Sequence, residues 1–404
     1  MRKADESSIG PLEGVRVLDL SRVLAGPWAT QLLGDYGAEV VKVERPGGGD
    51  DTRRWGPPYV KDAEGRDTTE SAYFLSTNRN KRSVAVDIST EKGRETIRRL
   101  ARWADVLVEN FRPGGLARHG LDYESLKAVN PALIYCSISG FGQTGPNRDR
   151  PGYDIMIQGF GGLMSITGEP DGEPMKVGVA IADIMCGMYA VTAILAALRH
   201  RDRTGEGQYI DISLADTQVA WLANQGLNYL VSGEDPPRLG NGHPNIVPYQ
   251  VFACADGHVI VAVGNDDQFA RFCACFGMEE LARDARFATN PARVANRKTL
   301  VPLIADRLAT LGRDDIITRL EEAGVPCGPV NRISDVFATE QVRARGMKIS
   351  MPHPLAGSGA VDLIGNPVKF SATPVSYRRP PPLCGEHTGE ILQEIPDDDD
   401  VGEN

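Results

Sequence analysis

The chain of 404 residues has no surplus of positive charge: 44 Lys and Arg stand against 54 Asp and Glu, a net −10 at pH 7. That argues against a general nucleic-acid or anionic-membrane surface, because both need a basic field. Part of the acidic excess is Asp397-Asp398-Asp399-Asp400, so 396–404 reads as a solvated, disordered tail. The seven cysteines are odd in number and show no paired CxxC spacing, which predicts reduced thiols in a cytoplasmic setting. Cys273 and Cys275 share a helical pattern that lets only one face a core, so no metal site is expected there. No apolar stretch follows Met1-Arg2-Lys3-Ala4-Asp5-Glu6, and no uncharged run reaches membrane-spanning length. Internal repeats are absent. Gly47-Gly48-Gly49-Asp50 follows a strand signal but is not GxGxxG, which argues against a dinucleotide site.

What is there is an ordinary globular composition, long enough for two domains or for one large domain with an excursion. Strand signals recur at Val15–Leu20, Ala38–Glu44, Ser83–Ile88, Asp105–Glu109, Leu133–Ser139 and Gly207–Ile212. Helical patterns lie between several of them, from Gly26 to Leu33 and from Thr90 to Ala104, with another from Leu214 towards Leu230. This alternation predicts an α/β fold with a doubly wound parallel sheet, which binds ligands beyond the carboxyl ends of its strands. After the turn cluster Gly233–Pro237 the character changes. Tyr249–Cys254, the turn Asp256-Gly257 and His258–Val263 read as a hairpin. Helices follow at Asp266–Phe276, Arg293–Leu311 and Arg313–Ala323, and Gly324–Val330 reads as a breaker-rich link. The expected organisation is 10–225 as a large α/β domain, 226–335 as a smaller α+β domain with its linkers, and 336–395 returning to the first.

Asp183 stands out. It lies at the mouth of a run, Met188 to Leu198, that is apolar on every face. A helix with no polar face is normally buried. An acid in its first turn is drawn inward yet stays near the positive helix end, which favours the ionised form. Such a carboxylate can be a covalent nucleophile. It can equally be a plain N-cap that accepts backbone N–H groups.

Several segments occur in order along nearly the whole chain. They are Gly14–Asp19 with Ala25-Gly26-Pro27, Val41–Pro46, Asn80–Ser83, Val108–Gly114, Gly152-Tyr153-Asp154, Asp183, Arg203–Gln208, Gly240–Pro244 and Gly385–Thr388. As an ordered set they resemble the class III coenzyme A transferases, the family of the formyl-CoA and carnitine-CoA transferases, whose relatives include the α-methylacyl-CoA racemases. The resemblance implies a large Rossmann-like CoA-binding domain, a smaller α+β domain and an interlocked homodimer. It implies that Asp183 is the nucleophile, with Tyr153 and Asp154 beside it. CoA contacts are implied for Val23, Ala25, Arg45, Val86, Asn110, Phe111, Arg112 and Arg118, with Lys81 and Arg82 near the cofactor. Gly240, Asn241, Gly242 and His243 match a loop that closes over the active site, stiffened here by His243 and Pro244. Each of these residues also has an ordinary reading: Arg45, Lys81-Arg82 and Arg118 as surface charges, Phe111 as core, Gly240–Pro244 as a turn. Arginine forks suit phosphate oxygens, which favours the functional reading for the arginines. Arg53 and Arg54 are candidates for a second substrate carboxylate, or are simply exposed.

Tyr153 separates two activities. The racemases carry His where this chain has Tyr153, and a tyrosine with a reference pKa of about 10 is a poor base at neutral pH. The expected activity is therefore transfer of CoA between small carboxylic acids through aspartyl anhydride and aspartyl-CoA thioester intermediates. Ser165–Gly168 looks most like members that use succinyl-CoA and small dicarboxylic acids. The alternatives are a racemase-type isomerase and a non-catalytic CoA-binding dimer. The expected partners are an acyl-CoA, a small carboxylic acid and a second copy of the chain, with no nucleic acid or membrane. No permanently bound cofactor or metal is expected; the CoA thioester is a substrate.

Overall fold

A computed structural model describes residues 10–395. The acidic tail at 396–404 lies outside the described residues. Six strands form one sheet: β1 (Arg16–Asp19), β2 (Glu39–Glu44), β3 (Lys81–Ala85), β4 (Val106–Glu109), β5 (Ile134–Ser139) and β6 (Tyr209–Ser213). Every pairing is parallel and the order is β3-β2-β1-β4-β5-β6. This is the doubly wound order of a Rossmann-type sheet, and it reverses direction between β1 and β4. Val, Ile and Leu fill the central strands because both faces are covered.

One face carries α1 (Ala25–Asp35) and α4 (Ile181–Thr204), packed with Val17, Val106, Ile134 and Ile194. The other carries α2 (Glu91–Trp103), which buries Ile97, Leu100 and Ala101 against Leu18, Val41 and Leu107. Thr90 caps α2 by accepting the Gly93 N–H. Helix α3 (Asp154–Phe160) precedes α4. A Cβ on Gly187 would stand 2.6 Å from the Ala25 carbonyl oxygen, so only glycine lets α4 cross α1 this closely.

Contacts divide the chain into two compact units. One holds the chain up to Leu163, Val177–Leu227 and the chain from Glu340 onward; the other holds Met164–Lys176 and Asn228–Thr339. In the second unit a hairpin of β7 (Tyr249–Cys254) and β8 (Gly257–Ala262) is joined by β9 (Cys327–Pro329), all antiparallel. Phe252, Val259, Phe269, Phe272 and Leu300 build its core.

Several expectations shift. The strand foreseen at Ser83–Ile88 begins at Lys81, because Lys81 is taken into the interior by Asp19. The stretch after Leu214 is two helices, interrupted where Ala223 adopts φ 46°. The helix foreseen at Arg293–Leu311 is broken at Asn296, whose side-chain amide bonds the carbonyls of Ala292 and Arg286 and so competes with the helix ladder. The link at Gly324–Val330 contributes an edge strand, the one position in a sheet where Pro329 costs no ladder bond. Helix α4 also differs. By length and composition it could cross a membrane. It buries Cys186, Ala190 and Ile194, but leaves Met188, Tyr189 and Leu195 more than a third exposed in the single chain.

Candidate active site

The sheet reverses between β1 and β4, and the loops after these strands meet there. Asn110, just past β4, accepts the Arg22 N–H at 2.9 Å and donates its amide to the Arg22 carbonyl at 2.7 Å. The Arg22 guanidinium lies over the Phe111 ring, 5.5 Å from its centre. Val23 adopts φ 71°, an uncommon left-handed conformation for a β-branched residue, and its N–H faces the Asp50 carboxylate.

Asp50 belongs to a buried charge network beneath this loop. Lys42 donates to Asp50 and to the Ser21 carbonyl, each at 2.9 Å. Lys81 donates to Asp19 at 3.0 Å. Burial would raise the Asp19 carboxyl, but Lys81 and Lys42 hold it at about 2. Glu44 takes two bonds from Arg53, which also reaches Glu70. At the foot of the Asn110 loop, burial pushes Glu109 up to about 7 against hydrogen bonds from Ser137 and the Phe111 N–H.

A cavity of about 410 Å³ opens over these loops. Arg22, Val23, Asn110, Phe111, Tyr153 and Asp183 line it, and Ala25 and Arg112 join them. Tyr153 is 62% exposed, so it is a surface of the cavity rather than core. Its place depends on two glycines. A Cβ on Gly140, at the end of β5, would lie 2.6 Å from the Gly152 Cα, so this pair lets the segment ahead of α3 run against the sheet.

Asp183 is the third residue of α4, and the N-cap is Ala180. The plain N-cap reading is therefore corrected. Asp154 does the capping: its Oδ1 accepts the N–H of Ala182 at 2.8 Å and lies 3.4 Å from that of Asp183, while Oδ2 accepts the Gln158 amide. The expectation that the helix end favours the ionised form of Asp183 is corrected too. Burial, and then the nearby Asp154 charge, push its carboxyl up to about 7.

A second cavity of about 230 Å³ shares Arg22 and Phe111 with the first, and Arg45, Val86 and Arg118 line it. All eight residues matched to CoA contacts thus line one or other of two adjoining cavities. Lys81 and Arg82 line neither. Lys81 is fully buried on Asp19, and Arg82 is paired with Glu39, Glu390 and Glu394. Arg53 is likewise committed to Glu44 and Glu70, so it is not free for a substrate, whereas Arg54 is exposed. Gly240–His243 lies in the second unit. There His243 donates its N–H to the Tyr249 carbonyl and its own carbonyl accepts from Arg297.

Sequence reasoning missed Arg22, Asp51, Trp55 and Arg150, all of which line the first cavity. Arg22 carried a usable signal, being two residues past the carboxyl end of a predicted strand. Trp55 and Arg150 lie in Pro- and Gly-rich loops and carried none.

The fold is a Rossmann-type sheet with two adjoining cavities at its reversal, the place where such sheets bind ligands. The sequence profile of CoA-transferase family III matches residues 12–388, and the chain belongs to that family. It is a CoA-transferase, a class whose substrates are CoA thioesters and carboxylic acids. It is similar to the succinate–glutarate CoA-transferase of Agrobacterium fabrum (strain C58), 53% identical over 386 residues, covering 95% of this chain and 96% of that one. It is also similar to the succinyl-CoA:glutarate CoA-transferase of Homo sapiens, 46% identical over 403 residues, covering 99% of this chain and 90% of that one. The crystal structure of a CaiB/BaiF family protein from Brucella suis superposes with a TM-score of 0.85 at 52% identity, covering 96% of this chain and all of that one.

Proposed function

We propose that the protein transfers CoA from succinyl-CoA to a small dicarboxylic acid, with glutarate the first candidate, through covalent chemistry on Asp183. The observation that carries this reading is the opening of Asp183 into a cavity that adjoins, at Arg22 and Phe111, one that presents Arg45 and Arg118. A thioester carbonyl in the first cavity then meets a carboxylate while the nucleotide end meets cations. The names of the similar proteins supply the donor and acceptor.

In the first step an Asp183 oxygen attacks the thioester carbonyl carbon. The C–S bond breaks, CoA thiolate leaves with the electron pair, and a succinyl–aspartyl anhydride remains. The thiolate attacks the Asp183 Cγ, the anhydride C–O bond breaks, and succinate departs from an aspartyl-CoA thioester. Glutarate attacks the same Cγ and expels the thiolate. The thiolate then attacks the glutaryl carbonyl of the second anhydride, giving glutaryl-CoA and a free Asp183. No net proton or energy input is needed, because one thioester replaces another. The chain's task is alignment and exclusion of water, since every acyl intermediate is hydrolysable. Tyr153, which lines the same cavity as Asp183, offers a hydroxyl donor to the developing oxyanions, whereas two-base epimerisation would lack a second base.

The reading includes a homodimer. Ile155, Met156 and Phe160 on α3 and Met188, Tyr189 and Leu195 on α4 leave large apolar surface exposed on the single chain, more than scattered residues explain.

Incubation with succinyl-CoA and a panel of carboxylic acids, read by mass spectrometry of the CoA esters, tests the proposal. Glutaryl-CoA should dominate, and Asp183→Ala should abolish it. Undiminished transfer by that variant refutes the nucleophile.

A further inference from the structure

We propose that Arg54 joins Arg45 across Gly48 as a clamp for the ribose 3′-phosphate of CoA, and so sets the preference for CoA over its dephosphorylated form. The inference rests on the reading that CoA thioesters occupy the two cavities above.

The turn Gly47–Gly49 follows β2. Gly47 and Gly49 have φ of 71° and 63°, a conformation that calls for glycine. Gly48 has no such demand. Its missing side chain leaves a notch with two guanidinium groups at its edge. From the point a Cβ on Gly48 would occupy, Arg45 Nη2 is 3.0 Å away, Arg45 Nε 3.2 Å and Arg54 Nη2 3.2 Å. Two like charges at this range repel. Among the described residues neither has a carboxylate partner. Glu70, the one carboxylate lining the cavity on the Arg54 side, is held by Arg53. A tetrahedral dianion at the notch would relieve the repulsion and accept from both forks.

The approach of Arg54 to Arg45 at Gly48 bears on which phosphate this is. The Asp183 cavity shares Arg22 and Phe111 with the Arg45 cavity. The cavity of about 480 Å³ that Arg54 and Gly48 line shares no residue with either of these, and it meets the Arg45 cavity only where the Arg45 and Arg54 forks approach Gly48. Along CoA the thioester comes first, then the pantetheine arm and diphosphate, and the ribose 3′-phosphate lies beyond. A ligand with its thioester at Asp183 and its diphosphate between Arg45 and Arg118 carries that last phosphate to the far side of Arg45, where Arg54 waits.

The test compares KM for succinyl-CoA and succinyl-3′-dephospho-CoA in the natural enzyme, Arg54→Met, Arg54→Lys and Gly48→Ala. One charge-assisted fork to phosphate corresponds to about tenfold in affinity. The natural enzyme should therefore show a KM ratio of at least about ten in favour of succinyl-CoA. Arg54→Met should narrow it about tenfold, Arg54→Lys should restore part, and Gly48→Ala should narrow it by crowding the notch. A merely structural role for Arg54 would raise KM for both thioesters alike and leave the ratio intact. An unchanged ratio in Arg54→Met, or no discrimination by the natural enzyme, overturns the clamp alone. Transfer from neither thioester overturns the proposed function and the clamp with it.

Discussion

A nucleophilic carboxyl that titrates near neutrality makes the first acyl transfer pH-dependent in the ordinary working range. Asp183 stands at about 7, raised by burial and by Asp154. About one carboxyl in ten is then ionised at pH 6 and about nine in ten at pH 8. Only the carboxylate attacks, so kcat/KM for succinyl-CoA should rise about tenfold over that span and level above it. Initial rates of glutaryl-CoA formation at low donor concentration, at fixed ionic strength and saturating acceptor, give the profile. Asp154→Asn sharpens the test. Its carbonyl oxygen can still accept the Ala182 N–H, and Gln158 can turn its amide at a cost of about 1 kcal/mol. The negative charge is gone, so the inflection should move down and the pH 6 rate should become a larger share of the plateau. A flat profile between pH 6 and pH 8, or an inflection that Asp154→Asn leaves in place, would refute the electrostatic account of Asp183.

The same shift has a stability sign. The folded carboxyl binds its proton more tightly than the unfolded one, whose pKa is 3.8, so the natural chain loses stability as pH rises from about 4 to about 7. Asp183→Asn should therefore be the more stable protein at pH 8, by on the order of 1–2 kcal/mol after screening through the open cavity, and equal at pH 4; thermal melts at the two pH values decide it. Lys42→Met leaves Asp50 buried without its cation and should cost about 3–5 kcal/mol in urea unfolding; a loss below about 1 kcal/mol would sink the network. Gly140→Ala places a methyl 2.6 Å from the Gly152 Cα and should displace Tyr153, lowering kcat more than it lowers the melting temperature.

Much of the sheet was legible because its signals are local. Most of the parallel strands carry several Val, Ile or Leu residues, and Thr90 and Gly205 mark helix ends within a few residues of where they act. The charged interior was not legible. Lys81 reads as a surface residue until Asp19, far away in sequence, is placed against it, and Arg82 meets Glu390 and Glu394 only when the chain returns. Arg53 looks available for a substrate until Glu44 and Glu70 are seen to hold it from both sides. The breaks at Asn296 and Ala223 arise from a side-chain amide and a left-handed residue, which a hydrophobic period cannot register. The site residues fared better, since residues just past β1 and β4 fall at the sheet reversal by topology alone.

The protonation of Asp183 was the least legible property and matters most for the chemistry. From sequence, a carboxylate in the first turn of a helix should be held ionised by backbone N–H groups. In the structure those groups are spent elsewhere, because Asp154 reaches across to take the Ala182 N–H and approaches that of Asp183. Asp154 can do so only because Gly140 and Gly152 let its segment run against the sheet. Among the described residues no hydrogen-bond donor is aimed at the Asp183 side chain. A carboxylate bathed in donors would be fully ionised and correspondingly inert, its lone pairs committed. In the proposed mechanism, Asp183 gives up part of its ionised population in exchange for an anion whose oxygens are unencumbered when a thioester arrives. The neighbouring acid that raises its pKa is also the group that takes these backbone donors, so Asp154 acts on the proposed nucleophile twice through a single hydrogen-bonding arrangement.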